Sequence, residues 1–443
     1  MRHCVTTKLA WRDPIAVLKG WEDLEFSFGL ISDGRGWSWL ARDCDQVKII
    51  RPGDPADPFQ DLADLIGPAT APASALPFTG GVVGLAAYSL AGRIEALDLG
   101  DESDWPELIA LRVSALLVFD HTRREIWAVG RGETEDGAEN RAANAASWLS
   151  GPAGREFAGP LTEDIEADDP LAFEEAVARV RGRIAAGEVF QANIARRWRG
   201  RLKAGATPLD LAARLSQQSP APYAAYLRAP GLALVSNSPE QFVQVSPGER
   251  TVLTRPIKGT APRGADATED EANKAALAAS AKDRAENLMI VDLMRNDLSR
   301  VCEPGSVATP ELFRLETFAN VHHLVSTVTG RLKPDVSPAD LLRAVFPPGS
   351  ITGAPKVQAM KVIRELEPPR GPFFGALFWA CFDGGIESSV LIRTTAFEED
   401  PAGWSFEARA GGGITADSDP HAERLETEDK IAAILRALTE PQA

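Results

Sequence analysis

The chain has 443 residues, 44% of them hydrophobic, and a formal net charge of −16. This length is enough for a large core in two or three domains, or in one unusually large domain. The acidic balance disfavours nucleic acid and anionic membranes as partners. It also means that an anionic substrate would need a local reversal of charge, which a divalent metal ion commonly supplies.

The apolar and cysteine residues make two further exclusions. No run of about 18 apolar residues is present, which argues against a membrane-spanning helix, and the first stretch, "MRHCVTTKLAWRDP", lacks the apolar centre of a signal peptide. Cys4, Cys44, Cys302 and Cys381 are far apart and form no CxxC motif. This spacing predicts reduced thiols, a cytoplasmic location and no zinc site.

The first part of the chain, residues 1–130, is rich in strand patterns. "ALLVFD" (115–120) and "EIWAVG" (125–130) flank the turn "HTRR", which predicts a hairpin. Residues 136–150 are rich in alanine and predict a helix. The glycine, proline and acidic content of residues 150–170 then predicts a linker.

This linker separates an N-terminal lobe, residues 1–155, from a catalytic region, residues 165–436. After it, helix and strand patterns alternate. "DPLAFEEAVARVRGRIAAGE" predicts a helix with Asp169 as its cap and Pro170 at its first position. "VFQANIARRW", "LALVSN" and "FVQVSP" predict strands, and "DEANKAALAASAKDRAENLMIVDLMRND" predicts one long helical stretch. The mixture indicates an α/β or α+β fold.

The first of two acidic clusters lies in "KDRAENLMIVDLMRND". On a helix, Glu286 stands beside a mostly apolar face, where a buried carboxylate would need a cation or hydrogen-bond donors. The alternative is a surface acid paired with Lys282 or Arg284.

The second cluster is "SDPHAERLETEDKIAAIL". Asp419 can cap a helix with Pro420 at its first position, which places Glu423, Glu426 and Lys430 on one face. Acids at i and i+3 can serve Mg²⁺, which prefers a few carboxylates together with water and substrate oxygens. The alternative is a solvated helix start whose acids favour the helix dipole.

A glycine run precedes this second cluster. Gly411, Gly412 and Gly413 leave backbone amides bare, so that a ligand carboxylate can approach them. The segment has neither GxGxxG nor P-loop spacing, so it does not predict a nucleotide site. A turn at the end of a strand is the simpler explanation of the run taken alone.

Two other segments offer polar groups to a pocket. The loop "FPPGSITGAPK" carries the Ser350 and Thr352 hydroxyls and Lys356. "VHHLVSTV" predicts a strand with His322 and His323 on opposite faces, so only one of them can face a pocket.

A single lysine, Lys258, stands in the rigid turn "TRPIKGT". A turn that aims a long cation in one direction suggests that the amine is used chemically. The alternative is a structural cation that forms a salt bridge within the turn, since most lysines are solvated or paired.

Taken together, these motifs resemble the chorismate-utilising enzymes, and among them the first component of the aminodeoxychorismate synthases. The resemblance runs from about residue 165 to 436 through "FQANIARR", "SNSPEQF", "TRPIKGTAPRG", "HHLVSTV", "GSITGAPKVQAM", "SSVLIRT" and "AGGGITADSDPHAERLETEDK". It implies an α/β fold of two lobes, whose antiparallel sheets pack as a central sandwich with helices outside. The linker would then be a crossing between lobes and not a boundary between independent domains.

The resemblance also implies roles for the residues singled out above. Mg²⁺ would be the cofactor, and Glu240 would protonate the hydroxyl that leaves ring carbon C4 of chorismate. The metal ligands would be Glu286, Glu426 and Glu423, and the substrate would contact Arg393, Gly411, Gly412, Gly413, Lys430, His323, Ser350 and Thr352.

Under the same resemblance, Lys258 attacks C2, and ammonia then displaces it at C4 to give 4-amino-4-deoxychorismate, a precursor of 4-aminobenzoate and folate. The sequence has no glutaminase signature, so ammonia is expected to be free or to come from a separate glutamine amidotransferase subunit. Anthranilate synthases are the main alternative, but they typically carry alanine where this chain has Lys258. Isochorismate-forming relatives carry a lysine where this chain has Gln191. A binding protein that kept the fold would have no reason to keep all these charged groups.

Overall fold

A computed structural model of the chain describes residues 1–69, 74–100, 105–151, 154–246, 248–317 and 321–441. The strands are β1 His3–Leu9, β2 Phe28–Ile31, β3 Trp37–Ala41, β4 Gln46–Ile50, β5 Gly81–Ala86, β6 Leu108–Val113, β7 Ala115–Asp120, β8 Glu125–Gly132, β9 Ile165–Ala167, β10 Gln191–Arg201, β11 Tyr223–Ala229, β12 Leu232–Ser238, β13 Gln241–Val245, β14 Thr251–Thr254, β15 Ile257–Pro262, β16 Ala308–Thr317, β17 Val321–Arg331, β18 Gly353–Ala354, β19 Ala376–Cys381, β20 Ile386–Val390, β21 Thr394–Asp400 and β22 Gly403–Ile414. The helices are α1 Pro14–Lys19, α2 Pro58–Ile66, α3 Ala91–Glu95, α4 Glu135–Ser147, α5 Pro170–Ala185, α6 Pro208–Gln218, α7 Ala267–Ala279, α8 Ala281–Ser299, α9 Pro338–Val345, α10 Lys356–Leu366 and α11 Pro420–Thr439.

The strands form two antiparallel sheets. One has twelve strands in the order β1-β8-β7-β3-β2-β11-β12-β21-β22-β10-β18, with β9 paired to β10. The other has ten in the order β15-β17-β14-β13-β20-β19-β5-β6-β4, with β16 paired to β17. Each sheet therefore contains strands from both sides of the segment 150–170.

The two sheets pack on each other through a large apolar core. Trp39 of β3 and Trp379 of β19, which belong to different sheets, both contact the Phe78 ring, with centroids 6.4 and 5.1 Å away. Such aromatic contacts bury large areas between sheets. The predicted fold, an α/β sandwich of antiparallel sheets with outer helices, is confirmed.

Most of the predicted elements are present. The hairpin is β7 paired with β8, from Ala115 opposite Gly130 to Asp120 opposite Glu125. The three predicted strands of the second half are β10, β12 and β13. Helix α5 has Asp169 as its cap, and its side chain accepts a hydrogen bond from the Leu171 amide.

The long helical stretch around residues 267–299 is two helices, which corrects the prediction of one. Ser280 is extended between α7 and α8, and its hydroxyl caps α8 by accepting a hydrogen bond from the Asp283 amide. Serine competes with helix hydrogen bonds in this way and favours caps. The break sets the direction of α8, which packs on β15 and β17.

Helix α11 follows β22 and lies against it. Asp419 caps it and Pro420 is its first residue, as predicted. Helices α8 and α11 therefore approach the same region, where the ends of β10, β15, β17 and β22 meet. No helix in the described part of the chain is long and apolar enough to cross a membrane.

Candidate active site

A cavity of about 660 Å³ lies between these elements. Its walls come from β10, β15, β17, β22, α8, α11 and the loop before β18. Six basic residues line it, Lys258, Lys282, Arg370, Arg393, Arg409 and Lys430, together with six acidic ones, Glu240, Asp283, Glu286, Glu423, Glu426 and Asp429. In a chain of net charge −16, this balance means that the cavity is less acidic than the molecule as a whole, which favours acceptance of an anion.

Lys258 enters the cavity from β15. Within the described chain its amine forms no hydrogen bond and no salt bridge, and its side chain is half-buried. Burial lowers the pKa of Lys258, and the nearby Lys430 lowers it further, against the opposite effect of Glu286, Glu240 and Glu426. The amine is therefore closer to its neutral, nucleophilic form than an exposed lysine would be.

The two acidic clusters meet at the cavity. Glu286 of α8 and Glu423 and Glu426 of α11 all line it. Burial raises the pKa of Glu286, although Lys258 and Lys282 lower it. Burial also raises the pKa of Glu423, whose carboxylate accepts a 2.6 Å hydrogen bond from Ser418. The interpretation of these acids as solvated surface groups therefore does not describe Glu286 or Glu423.

Glu426 is paired differently. Its side chain is 52% exposed at the cavity mouth and accepts a 2.6 Å contact from Lys430. Burial acts to raise the pKa of Glu426, but Lys430 outweighs it, and the pKa is lowered. The acid is thus held in its charged form.

The chemistry of these acids suits a divalent ion, but their positions match a metal site only in part. Among the described residues, the buried Oε1 atom of Glu286 has no hydrogen-bond partner, and its nearest cation is Lys282 Nζ, 3.9 Å away. Such an oxygen needs a positive partner, and carboxylates are the ligands that Mg²⁺ prefers. In the described chain, no three His, Cys, Asp or Glu side chains are close enough together to hold a metal. Because Lys430 already pairs with Glu426, a metal ion would have to displace the lysine from that carboxylate.

Glu240 lies between β12 and β13 and is 7% exposed. Burial raises its pKa, while the Ser350 side chain and the charges of Lys258 and Lys430 lower it. A carboxyl group with a raised pKa can keep a proton for donation near neutral pH. The structure thus brings Glu240, Ser350 and Lys258 into one cavity.

Thr352 does not belong with them. It is fully buried and does not line the cavity. Its hydroxyl donates to the carbonyl oxygens of Pro348 and Gly349, at 3.1 and 3.3 Å. The prediction of a substrate contact is corrected here to a contact that shapes the loop carrying Ser350.

The two histidines of β17 separate as predicted. His323 faces the cavity, with its Nδ1 3.0 Å from the Thr260 hydroxyl. Burial, and then the charge of Arg393, lower the pKa of His323 to about 4, so its ring is neutral at physiological pH. His322 faces the other way, with Nε2 2.8 Å from Asp270 Oδ1.

Arg393 and the glycine run supply donors. Arg393 lines the cavity with no salt bridge to another described residue. The amides of Asn193 and Ala195, opposite Gly413 and Gly411, bond to groups away from β22. In an antiparallel ladder such pairs are not hydrogen-bonded to each other, so the amides of Gly411 and Gly413 also point away from β10.

Gly412 is arranged differently from its neighbours. It does not line the cavity, and a Cβ there would lie 2.8 Å from Glu423 Oε2. A Cβ on Gly413 would lie 2.2 Å from the Gln191 Nε2 atom. Gln191 is fully buried, and neither polar atom of its side-chain amide has a hydrogen-bond partner in the described part of the chain. The glycine run therefore lets neighbouring side chains approach the backbone closely, in addition to offering amides to an anion.

The cavity-lining residues that were not predicted include Asn193, Lys282, Arg370 and Arg409. Lys282 had a local signal, since it precedes Glu286 by one helical turn. The two arginines had only a weak signal, an acid three residues before Arg370 and two residues before Arg409.

Comparisons with known proteins show similarity in sequence and in fold over most of the chain. The family model of chorismate binding enzymes matches residues 21–436. Aminodeoxychorismate synthase component 1 of Klebsiella aerogenes is 42% identical over 82% of this chain and 78% of its own. Anthranilate synthase component 1 of Streptomyces coelicolor is 39% identical over 87% of this chain and 78% of its own. The crystal structure of anthranilate synthase component I from Streptococcus pneumoniae TIGR4 aligns with a TM-score of 0.79 at 28% identity, over 90% of this chain and 92% of that one.

Proposed function

The chain belongs to the chorismate binding enzymes, and from that premise we propose that it is the first component of an aminodeoxychorismate synthase. Its reaction would convert chorismate and ammonia into 4-amino-4-deoxychorismate and water. Relatives that share the fold include both aminodeoxychorismate and anthranilate synthases, so the site has to support the choice.

The observation that carries the proposal is the Lys258 amine. It lies in the cavity with the acid Glu240, has no partner within the described chain and has a lowered pKa. An unperturbed lysine is only about 0.1% neutral near pH 7.4, so a nucleophilic lysine needs such surroundings.

The first step forms a bond between Lys258 Nζ and C2 of the ring. The two ring double bonds shift and the C4–O bond breaks, while Glu240 gives its proton to the departing hydroxyl, which leaves as water. The attacking amine loses one proton, which returns Glu240 to its protonated form, and the enzyme-bound adduct is chorismate less one water. The covalent intermediate replaces one substitution by two, each with a lower activation barrier.

In the second step ammonia attacks C4, both ring double bonds shift back and the C2–N bond to Lys258 breaks. The proton balance is closed when ammonia loses one proton and Lys258 regains one. The lysine amine is then free for another turnover.

The remaining groups would hold the substrate. Chorismate is a dicarboxylate, and Arg393, Lys430 and the amides of Gly411 and Gly413 are the donors that the cavity offers to its two charges. Glu286, Glu423 and Glu426 would hold Mg²⁺, which when bound supplies charge stabilisation to the ring carboxylate. His323, neutral at physiological pH, can act there as a hydrogen-bond partner without adding charge.

The test is chromatographic identification of the product made from chorismate, Mg²⁺ and ammonium. We expect 4-amino-4-deoxychorismate. Anthranilate, which fluoresces and forms without an added lyase, would instead establish the second candidate, an anthranilate synthase, which the 39% identical Streptomyces relative favours.

A further inference from the structure

A buried ion pair, Arg370 with Glu367, lies at the wall of the cavity between α10 and β19, where Arg370 is part of the lining and Glu367 is not. The two residues are 3% and 8% exposed. Arg370 donates to both carboxylate oxygens of Glu367, from Nε and Nη2 at 3.0 Å each, and its guanidinium covers the rings of Tyr88 and Phe374. Burial of two charges costs about as much as their attraction returns, so stability alone is weak grounds for such a pair.

The ion pair forms hydrogen bonds with the part of the β10 edge that β18 does not reach. β18 covers the edge of β10 at only two positions, Gln191 and Ala192. Beyond them, Arg370 Nη2 donates to the Asn193 carbonyl at 2.7 Å. The Ala195 amide donates to Glu367 Oε1 at 2.7 Å. Buried backbone groups need such partners.

Arg370 also holds the loop before β18. Its Nη1 donates to the Ile351 carbonyl at 3.1 Å. Ile351 follows Ser350, which lines the cavity together with Glu240 and lowers the pKa of that carboxyl. The guanidinium thus holds the residue next to Ser350, which faces the same cavity as the proposed acid.

On the β10 side, the ion pair contacts residues that lie opposite two glycines of β22. Asn193 lies opposite Gly413 and Ala195 opposite Gly411. A shift of the β10 edge would therefore move the backbone that faces the substrate.

We propose that Arg370 and Glu367 are positioning residues for the reaction: together they fix the Ser350 loop and the β10 edge relative to Glu240. The proposal rests on the proposed function for the role of Glu240. Neither side chain is assigned a chemical step.

The test replaces Arg370 by lysine, which cannot bond Glu367 in two places while also reaching both carbonyls. A misplacement of about 1 Å in a site can cost about 100-fold in rate, and we expect a loss of that order in kcat, with a smaller change in the KM for chorismate. Displacement of the Ser350 side chain, which lowers the pKa of Glu240, should raise that pKa. Since the acid must be protonated to act, the alkaline limb of the pH–rate profile should move to higher pH.

Arg214→Lys is the matched control. Arg214 is 1% exposed and donates to four backbone carbonyls, but it does not line the cavity. Both variants should unfold at lower temperature, and only Arg370→Lys should lose kcat and change its pH profile. If Arg370→Lys is destabilised as Arg214→Lys is but keeps the wild-type kcat and pH profile, the proposal is overturned.

If Arg370→Lys does not fold, Glu367→Gln keeps the shape and one acceptor, and it should show the same kcat loss and pH shift. Unchanged kinetics in that variant would also overturn the proposal. Chorismate consumption is the readout, so the comparison holds whichever product forms. A wild-type chain that consumes no chorismate would overturn the proposed function, and the positioning roles with it.

Discussion

At the scale of single residues, Lys258 shows how position changes chemistry. Its neighbours in sequence are ordinary turn residues, and its pKa is lowered by burial and by Lys430, which is far away in the chain. The turn "TRPIKGT" indicated an aimed amine, but only the fold shows that the amine has no acidic partner at salt-bridge distance among the described residues.

Lys258→Ala should abolish the covalent step. Without ammonia, chorismate and Mg²⁺ should leave on the wild-type chain an adduct with the mass of chorismate less one water, and the variant should form none. Intact-protein mass spectrometry after rapid acid quench measures this. An adduct on another residue, or wild-type rates in the variant, would show that Lys258 is a structural cation.

His323 should make stability depend on pH. Its folded pKa of about 4 lies below its ordinary value of 6.5, so between these values the unfolded chain binds more protons. Stability should therefore rise as pH rises through this window and should have its full value above it. The contribution between pH 5 and pH 7 is about 2 kcal/mol.

Urea unfolding of wild type and His323→Gln at pH 5 and pH 7 measures this. The variant should lose about 2 kcal/mol of the difference between the two pH values. His421→Gln, at an exposed position on α11, is the control and should keep the wild-type difference. Equal pH dependence in all three proteins would contradict the assignment.

At the scale of elements, helices α8 and α11 bring acids from distant parts of the sequence to one cavity. The caps Ser280 and Asp419 fix where the helices begin, and so where Glu286 and Glu423 point. Two of the metal candidates face a lysine one turn away, Glu286 facing Lys282 and Glu426 facing Lys430. A metal ion and these lysines should therefore compete for the same carboxylates.

Replacement of Glu286 or Glu426 by glutamine should weaken metal binding and lower turnover by orders of magnitude, because each change keeps the shape and removes a charged oxygen ligand. Mn²⁺ binding, followed by electron paramagnetic resonance, gives a readout independent of activity. Glu428→Gln is the control, since Glu428 is on α11 but pairs with Arg196 and Arg424 outside the cavity. Full activity of EDTA-treated enzyme would argue against a metal requirement.

The elements also show how far the sequence could be interpreted. Helix α11 and its acids followed from a cap, a proline and a spacing of three residues, all of which are local. Thr352 could not be placed, because a hydroxyl in a loop can face a ligand or its own backbone, and here it bonds to Pro348 and Gly349. The break at Ser280 was missed because serine is tolerated within helices.

At the scale of the whole molecule, the strand order explains why Arg370 could not be foreseen. Each sheet mixes strands from both sides of residues 150–170, and Arg370 contacts Asn193, which is 177 positions away. Its nearest sequence signal was an acid three residues earlier, which is common on surfaces. Family resemblance predicted the architecture, whereas periodicity alone left the topology undetermined.

The last prediction concerns the source of ammonia. None of the four cysteines stands in a GxCxG context, the pattern of a glutaminase nucleophile, and the Klebsiella relative is named as a component 1. We therefore expect the purified chain to use ammonium but not glutamine. Since only neutral ammonia can attack C4, the rate with ammonium should rise with pH as the neutral fraction rises.

A glutamine amidotransferase subunit added to the chain should confer glutamine-dependent turnover. That turnover should lack the steep pH dependence, because ammonia would be released in its neutral form beside the synthase. Parallel pH–rate profiles with ammonium and with glutamine, in the presence and absence of the subunit, measure both effects. Glutamine-dependent turnover by the pure chain would count decisively against a separate partner, because it would require a glutaminase site within these 443 residues.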